Sequence, residues 1–197
     1  DLLAKAECPI ILAGGGVITA AASDELTEMS DLLMAPVATT FMGKGAFPET
    51  HPLSLGSIGM HGNPAANRLM GEADVLLAVG TRFSDRATTN LDTFAPNAKK
   101  IHIEIDNAEI NKNVDVDVAI LADAKIALKA LLAATKEKLQ KGEGKAWTKR
   151  IKEAKEQLSP LLKDRPRDVT PKHLLAALRE LLPENGIVTT EVGQNQM

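Results

Sequence analysis

The sequence predicts an α/β fold in which helices cover both faces of a doubly wound, mainly parallel sheet. Short apolar runs such as Pro9–Ala13 and Asp74–Val79 are typical of strands that are buried on both sides. Segments with apolar residues at helical spacing lie between these runs, and most of the connections are short. Strands that alternate with helices in this way form parallel βαβ units.

Six segments are predicted strands because they are rich in apolar and β-branched residues. They are Pro9–Ala13, Pro36–Thr40, Asp74–Val79, Lys100–Ile105, Val116–Leu121 and Ile187–Thr190. The alternation in Lys100–Ile105 predicts that one face of that strand is less buried. Residues 41–62 form a long loop rich in glycine and proline, and a loop of that length is either functional or contains a short strand.

Capping residues and helical spacing predict the helices. The predicted N-caps are Ser23, Asn63 before Pro64, Asp123, and Thr170 before Pro171. The helix that begins at Pro64 is predicted to end at Gly71. Apolar residues at helical spacing from Trp147 to Leu158 predict one more amphipathic helix.

Composition excludes several classes of partner. The chain has 197 residues, of which 44% are apolar and 25% charged, as in ordinary globular proteins. A net charge of -3 and an aromatic content of 3% argue against nucleic acid and anionic membranes as partners. We find no secretory signal peptide and no apolar run near the ~20 residues of a membrane span. The single cysteine, Cys8, fits a reducing compartment such as the cytoplasm.

Two breaks in the pattern divide the chain. Residues 141–144 contain two glycines, and residues 160–171 are charged and contain proline, which is typical of an interdomain linker. The sequence begins at Asp1 and ends soon after a predicted strand, so we expect it to be a piece of a longer polypeptide.

The stretch Leu76–Arg86 is the strongest candidate for a ligand-binding edge. It begins as an apolar strand, breaks at Gly80, and continues as a loop that carries Arg82, Asp85 and Arg86. Ligands of open α/β sheets bind outside the carboxyl ends of the strands, and a guanidinium group pairs bidentately with phosphate or carboxylate. The two arginines are therefore candidates for holding an anion. The alternative is a solvated loop with local ion pairs worth under ~1 kcal/mol.

Three consecutive glycines, Gly14–Gly16, follow the first predicted strand. They allow either the close approach of a ligand to the backbone or a tight turn from strand to helix. The segment lacks the Gly-Lys-Ser/Thr of a P-loop. Thr39 and Thr40 stand where a dinucleotide fold carries an acid for the ribose, which disfavours ordinary NAD binding.

Acidic residues follow two other predicted strands. Glu104 and Asp123 are candidates to accept hydrogen bonds from ribose hydroxyls or an adenine amino group. Asp123 equally suits a helix cap, and Glu104 precedes a turn signal. His61 has no evident nucleophile beside it, and the histidines show no metal-ligand spacing. The residues alone predict a domain that binds a nucleotide-like anion and carries no catalytic set or metal site of its own.

An ordered set of motifs resembles those of one family. The motifs are Ala13–Gly16, PVATTFMGKG (36–45), LGSIGMHG (55–62), VGTRFSDRATTN (79–90), IHIEIDNAEINK (101–112), Ala122–Ala124 and TTEVGQNQM (189–197). They resemble the central part of the acetolactate synthase (acetohydroxyacid synthase) large-subunit family of thiamine diphosphate enzymes. Each motif is weak alone, but the ordered set, with Met-His-Gly and Arg-Phe-x-Asp-Arg, is specific.

The resemblance implies a domain arrangement and an activity. Residues 1–160 would be a Rossmann-like central domain, and residues 161–197 the linker with the first helix and strand of an incomplete C-terminal thiamine diphosphate-binding domain. The family condenses two pyruvates to 2-acetolactate with loss of CO2, or pyruvate with 2-oxobutyrate, in valine, leucine and isoleucine synthesis. The full-length enzyme would use thiamine diphosphate, Mg²⁺ and a structural FAD, and would assemble with copies of itself and a small regulatory subunit.

The resemblance also implies cofactor contacts. Those for FAD are Gly14, Gly15, Gly16, Thr40, Phe41, Met42, Gly59, Met60, His61, Gly62, Gly80, Arg82, Arg86, Glu104, Ile105, Asp123 and Ala124. The arginines would serve the diphosphate and flavin, and the two acids the adenosine. Gly193 and Gln194 match a segment that contacts the phosphates of thiamine diphosphate, with Asn195 where many members have His. Ser84 replaces a common acid.

The resemblance sets limits as well. The glutamate that activates the thiazolium ring and the Gly-Asp-Gly…Asn motif for magnesium are absent from the sequence. We therefore expect no catalytic residue, no bound thiamine diphosphate or Mg²⁺, and no condensation by this chain alone. Glyoxylate carboligase and sulfoacetaldehyde acetyltransferase are alternatives, whereas oxalyl-CoA decarboxylase is disfavoured because its middle domain takes ADP. A nucleotide-binding or regulatory module without chemistry is the alternative outside the enzyme class.

Overall fold

The computed structural model describes residues 1–139, 145–158, 169–191 and 193, which belong to two compact units. The first unit, Asp1–Ser159, contains a six-stranded parallel sheet. Its strands are β1 (Pro9–Ala13), β2 (Val37–Thr39), β3 (Ser54–Ser57), β4 (Val75–Val79), β5 (Lys99–Glu104) and β6 (Val118–Leu121). Its helices are α1 (Gly15–Thr19), α2 (Ser23–Leu33), α3 (Pro64–Glu72), α4 (Asp85–Thr88), α5 (Ala124–Lys138) and α6 (Lys145–Leu158).

The strand order of the sheet is β3-β2-β1-β4-β5-β6, and every neighbouring pair is parallel. The chain moves from β1 toward one edge and then returns to β4 on the other side of β1. The order therefore reverses between β1 and β4, which places the loops that follow these two strands side by side at the carboxyl edge. This arrangement confirms the predicted doubly wound parallel sheet.

Helices cover both faces of the sheet because successive side chains of each strand point to opposite sides. Ile10 of β1 belongs to a core with Leu69 of α3 and Trp147 of α6. The next residue, Ile11, belongs to a second core with Leu128 of α5. The two apolar layers leave the edges of the sheet to the loops.

Three of the predicted helix caps are confirmed. Asn63, Asp123 and Thr170 each accept a hydrogen bond from a backbone N–H group in the first turn of the following helix. These bonds satisfy donors that a helix start otherwise leaves without partners.

Two predicted helix limits are wrong. Ala22, not Ser23, is the N-cap of α2, and Ser23 is already the first helical residue. The chain enters α2 from a tight turn at Ala21 (φ 49°), so no extended residue precedes the helix to carry a side-chain cap. Gly71 lies inside α3, which continues to Glu72.

The long loop and β5 both hold a finding for the sequence predictions. Residues 41–62 contain β3, which pairs with β2, so the loop does carry a short strand. The prediction of a less buried face on β5 is wrong, since Ile101, His102, Ile103 and Glu104 are all buried. β5 lies between β4 and β6, and the ring of Phe83 packs on that of His102 with centroids 4.7 Å apart.

The second unit, Pro160–Met197, contains α7 (Pro171–Leu181). The predicted strand at Ile187–Thr190 is wrong: these residues are exposed and form no strand within the described part of the unit. A strand requires a neighbour for its backbone hydrogen bonds. The predicted break at residues 141–144 and the predicted linker up to residue 168 lie outside the described residues. Among the helices described, none is long and apolar enough to cross a bilayer.

Candidate functional site at the carboxyl edge of the sheet

Two glycine loops meet where the strand order reverses. The Gly14 N–H group donates to the Val79 carbonyl oxygen, and the Gly16 N–H group donates to that of Gly80, with N···O distances of 2.9 and 3.0 Å. Gly80 has a φ of 56°, and a Cβ atom there would lie 2.6 Å from the Cα of Gly16. Only glycine permits this contact of two backbones. The contacts favour the tight-turn interpretation over anion binding by these two N–H groups.

A cavity of about 220 Å³ lies beside this contact. Its lining residues are Gly16, Thr19, Ala20, Gly80, Ile103, Glu104, Ile105, Ala122, Asp123 and Ala124. Six of them (Gly16, Gly80, Glu104, Ile105, Asp123 and Ala124) are predicted FAD contacts. They follow or end four different strands, and the sheet brings them together in one place.

The two acids of the cavity are held by backbone N–H groups. Glu104 Oε1 accepts hydrogen bonds from Ile105 and Asp106 at 2.9 and 3.2 Å. Asp123 Oδ1 accepts from Lys125 and Ile126 at 2.9 and 3.2 Å, at the start of α5. Each acid makes these bonds with one carboxylate oxygen, and the second oxygen is a further acceptor. A local structural role and a role toward a ligand are therefore compatible.

Arg82 and Arg86 lie exposed on the loop that follows β4. The Arg86 side chain is 73% exposed, and its Nε atom lies 4.0 Å from Oδ2 of Asp85. A contact this long and this exposed contributes under ~1 kcal/mol. Within the described part of the chain, the Arg82 guanidinium makes no ion pair. Both positive charges are thus available to an anion.

The loop Gly59–Gly62 is fixed against the arginine loop. Gly59 has a φ of 110°, and a Cβ atom there would lie 2.0 Å from the Arg86 carbonyl oxygen. That oxygen accepts a hydrogen bond from Met60 N–H at 3.1 Å. Asn67 of α3 binds both the N–H and the C=O group of Gly59, at 3.0 and 2.9 Å. His61 of this loop is exposed.

Large apolar side chains are exposed along the same edge. They are Phe41, Met42, Met60 and Ile105, with exposed fractions of 67%, 70%, 56% and 72%. Thr40 orders the first two, because its side chain accepts a hydrogen bond from Gly43 N–H and caps the short turn Phe41–Gly43. Apolar side chains beside two guanidinium groups and a cavity suit a ligand that combines aromatic rings with an anionic centre.

The residues predicted for thiamine diphosphate lie in the second unit. Gly193 is exposed there, and Gln194 lies outside the described residues. Among the residues that the structure describes, no group of three or more His, Cys, Asp or Glu side chains has the geometry of a metal site.

Sequence reasoning missed the side chains that hold the arginine loop. The Nε2 atom of the buried His102 lies 2.8 Å from the Thr81 carbonyl oxygen. Burial lowers the pKa of His102 below its usual range, so the imidazole is neutral and donates this hydrogen bond. Asn113 Nδ2 lies 3.2 Å from the carbonyl oxygens of both Arg82 and Phe83. A histidine inside an apolar strand was a signal for the first tie, but nothing near Asn113 signals the second.

Comparison with known proteins identifies the class to which this edge belongs. Residues 1–131 match the family described as thiamine pyrophosphate enzyme, central domain. The chain therefore belongs to that family.

Its relatives are acetolactate synthases, which confirms the resemblance seen in the motifs. All of the chain aligns with the probable acetolactate synthase large subunit of Methanocaldococcus jannaschii at 49% identity, over 34% of that protein. It is 43% identical to the acetolactate synthase large subunit of Parasynechococcus marenigrum, over 32% of it. It is 40% identical to acetolactate synthase 1, chloroplastic, of Oryza sativa subsp. japonica, over 30% of it. The chain thus spans about a third of the length of these relatives.

Proposed function

We propose that the chain is the central domain of an acetolactate synthase large subunit and that its carboxyl edge binds FAD. The whole protein would condense two pyruvates to 2-acetolactate with loss of CO2, or pyruvate with 2-oxobutyrate. The observation that carries this proposal is the identity of 40 to 49% between the entire chain and proteins of that name. We further propose that the whole protein assembles with copies of itself and with a small regulatory subunit.

The side chains of the edge fit the chemistry of a flavin dinucleotide. FAD combines two ring systems, ribose hydroxyls and a diphosphate. The exposed apolar side chains offer contact area to the rings, and Glu104 and Asp123 are acceptors for hydroxyl or amino groups. Arg82 and Arg86 would bind the diphosphate, since guanidinium groups form charge-assisted hydrogen bonds with phosphate oxygens.

The residues of this chain would bind and orient cofactors rather than transfer protons. In this class of enzyme FAD is structural, and thiamine diphosphate with Mg²⁺ supplies carbanion stabilisation when bound. Gly193 and Gln194 would contribute to its phosphate site in the whole protein. Because the chain spans about a third of its relatives, we expect no acetolactate from pyruvate when the purified chain is supplied with all three cofactors. A measurable yield would contradict this assignment of the chemistry.

FAD binding by the purified chain tests the proposal directly. The chain is incubated with FAD and desalted, retained flavin is measured by its visible absorbance, and Kd is obtained by titration of flavin fluorescence. We expect Arg86→Ala to weaken binding about 10-fold or more, because a hydrogen bond to a charged group is worth about 1.5–3 kcal/mol. Arg68→Ala is the matched control, since it removes an exposed arginine that pairs with Glu72. No binding by the wild type contradicts the FAD proposal, and equal binding by Arg86→Ala contradicts the role of the arginine.

A further inference from the structure

The backbone that carries the two arginines is tied to side chains from distant parts of the sequence. We propose that His102 and Asn113 are positioning residues that fix residues 81–83, so that Arg82 and Arg86 are presented at the carboxyl edge before any ligand arrives. The inference rests on the proposed function and deepens it. It assigns control of FAD affinity to two side chains with no assigned contact to the cofactor.

The conformation of the loop needs such support. Phe83 lies between the arginines with a φ of 49°, in the left-handed region that is unfavourable for a bulky L-residue. Its ring is buried, edge-on to Phe94 with centroids 5.9 Å apart and tilted against His102. The buried ring fixes one point of the loop, but the left-handed backbone persists only where neighbouring groups hold it.

Three consecutive carbonyl groups of the loop accept hydrogen bonds from side chains. His102 donates to the Thr81 oxygen, and Asn113 donates to those of Arg82 and Phe83. A single amide –NH2 group has two N–H donors, so one asparagine serves two carbonyls at once. These bonds fix the peptide groups on both sides of Arg82.

The hydrogen bond to Thr81 is what the imidazole of His102 adds at its position. The ring is fully buried, and its Nδ1 atom has no hydrogen-bond partner among the described residues. A buried acceptor without a partner is unfavourable, and a leucine would fill the same space without it. The compensating contact is the Nε2–H bond at 2.8 Å, which ties β5 to the start of the arginine loop.

A loop that is ordered before binding loses less conformational entropy when a ligand binds. Removing either tie would leave both guanidinium groups intact but would let them sample other positions. The expected consequence is weaker FAD binding in proportion to the part that Arg82 and Arg86 play in it.

Hydrogen exchange in the absence of ligand tests the ties themselves. The full chain is compared with Asn113→Ala and with Asn97→Ala, a control at another exposed asparagine. We expect amides of residues 81–88 to exchange at least about 5-fold faster in Asn113→Ala and at the wild-type rate in Asn97→Ala. His102→Leu should show the same acceleration, and His102→Gln, which keeps an N–H donor, should reverse part of it. Unchanged exchange in Asn113→Ala overturns the inference whether or not FAD binds.

A double-mutant cycle then tests whether the ties act through the arginines. Asn113→Ala should weaken FAD binding about 5- to 10-fold in the wild type and less than about 2-fold when Arg82 and Arg86 are both alanine. Equal losses on the two backgrounds, or none on either, overturn the inference and leave the FAD proposal standing. If the wild type binds no FAD, the proposed function fails together with the control of affinity, and the exchange experiment still decides whether the ties hold the loop.

Discussion

The two edges of the sheet use their polar side chains in opposite ways. At the amino edge, Asp74 accepts hydrogen bonds from the N–H groups of Glu7 and Cys8 at 2.7 and 2.9 Å. Glu72 accepts two from the Arg150 guanidinium at 2.6 and 2.8 Å, which joins α3 to α6. At the carboxyl edge, Arg82 and Arg86 lie exposed and hardly neutralised.

The contrast follows from how each edge satisfies its backbone. The loops after β1 and β4 bond to each other through Gly14, Gly16 and Gly80, so the side chains beyond them are left for a ligand. The amino edge depends on carboxylates to complete the hydrogen bonding of incoming strands. We therefore expect substitutions at the amino edge to lower the free energy of unfolding and those at the carboxyl edge to lower FAD affinity.

Trp147 carries the largest expected effect at the amino edge. Its indole is 4% exposed, and Nε1–H donates to the carbonyl oxygen of Pro9, the first residue of β1, at 2.9 Å. Trp147→Ala should lower the free energy of unfolding by about 3–5 kcal/mol, whereas Trp147→Phe, which keeps most of the apolar contact, should cost about 1–2 kcal/mol. Urea unfolding followed by far-UV circular dichroism measures both, since the chain has one tryptophan. Equal losses in the two variants would contradict the importance of packing.

Asp74 is next in size. Asp74→Ala removes two hydrogen bonds to a carboxylate at the start of β1 and should cost about 2–3 kcal/mol of unfolding free energy. Asp92→Ala, at an exposed aspartate, should change it by less than about 0.5 kcal/mol. If the two variants unfold at the same urea concentration, Asp74 does not organise this edge.

The pair of Glu72 and Arg150 gives a smaller and pH-dependent effect. The hydrogen bonds from Arg150 lower the pKa of Glu72 below its ordinary value of 4.5. A group whose pKa is lowered by folding stabilises fully above its unfolded pKa, and this contribution is lost as the pH falls through the folded value. Glu72→Gln should therefore cost about 1 kcal/mol at pH 7, and its difference from wild type should shrink as the pH is lowered below 4.5.

The control for this pH dependence is Glu156→Gln, at a pair with Lys152 that is long and exposed. We expect a change of a few tenths of a kcal/mol or less at every pH. A Glu72→Gln difference that is constant between pH 7 and pH 3 would show that the carboxylate contributes nothing through its charge.

The sequence predicted the sheet better than its faces and pairings. Pro9–Ala13 was predicted without error because a strand buried on both sides is a continuous apolar run. In Lys99–Glu104, alternation suggested an exposed face, but His102 is buried through a hydrogen bond with a distant carbonyl. Ile187–Thr190 has the composition of a strand, yet strand formation depends on a partner that composition does not specify.

The candidate site divides in the same way. The glycines and Arg82 were recognisable locally, because each follows an apolar run. The grouping of Gly16, Glu104 and Asp123 around one cavity depends on the order of strands, which no local pattern encodes. The tie from Asn113 crosses about 30 residues of sequence, and only the folded chain brings it to Phe83.

Replacing both Arg82 and Arg86 by alanine should change stability least and separate the two edges most clearly. Both side chains are exposed, so the free energy of unfolding without ligand should change by less than about 0.5 kcal/mol. A ligand present at 100 times its Kd stabilises the native state by about 2.7 kcal/mol. FAD at that concentration should give the wild type and Asp74→Ala this increment in urea unfolding, and should give the double variant much less. If the double variant is instead destabilised as strongly as Asp74→Ala, the arginines belong to the fold, and the division of roles between the two edges is wrong.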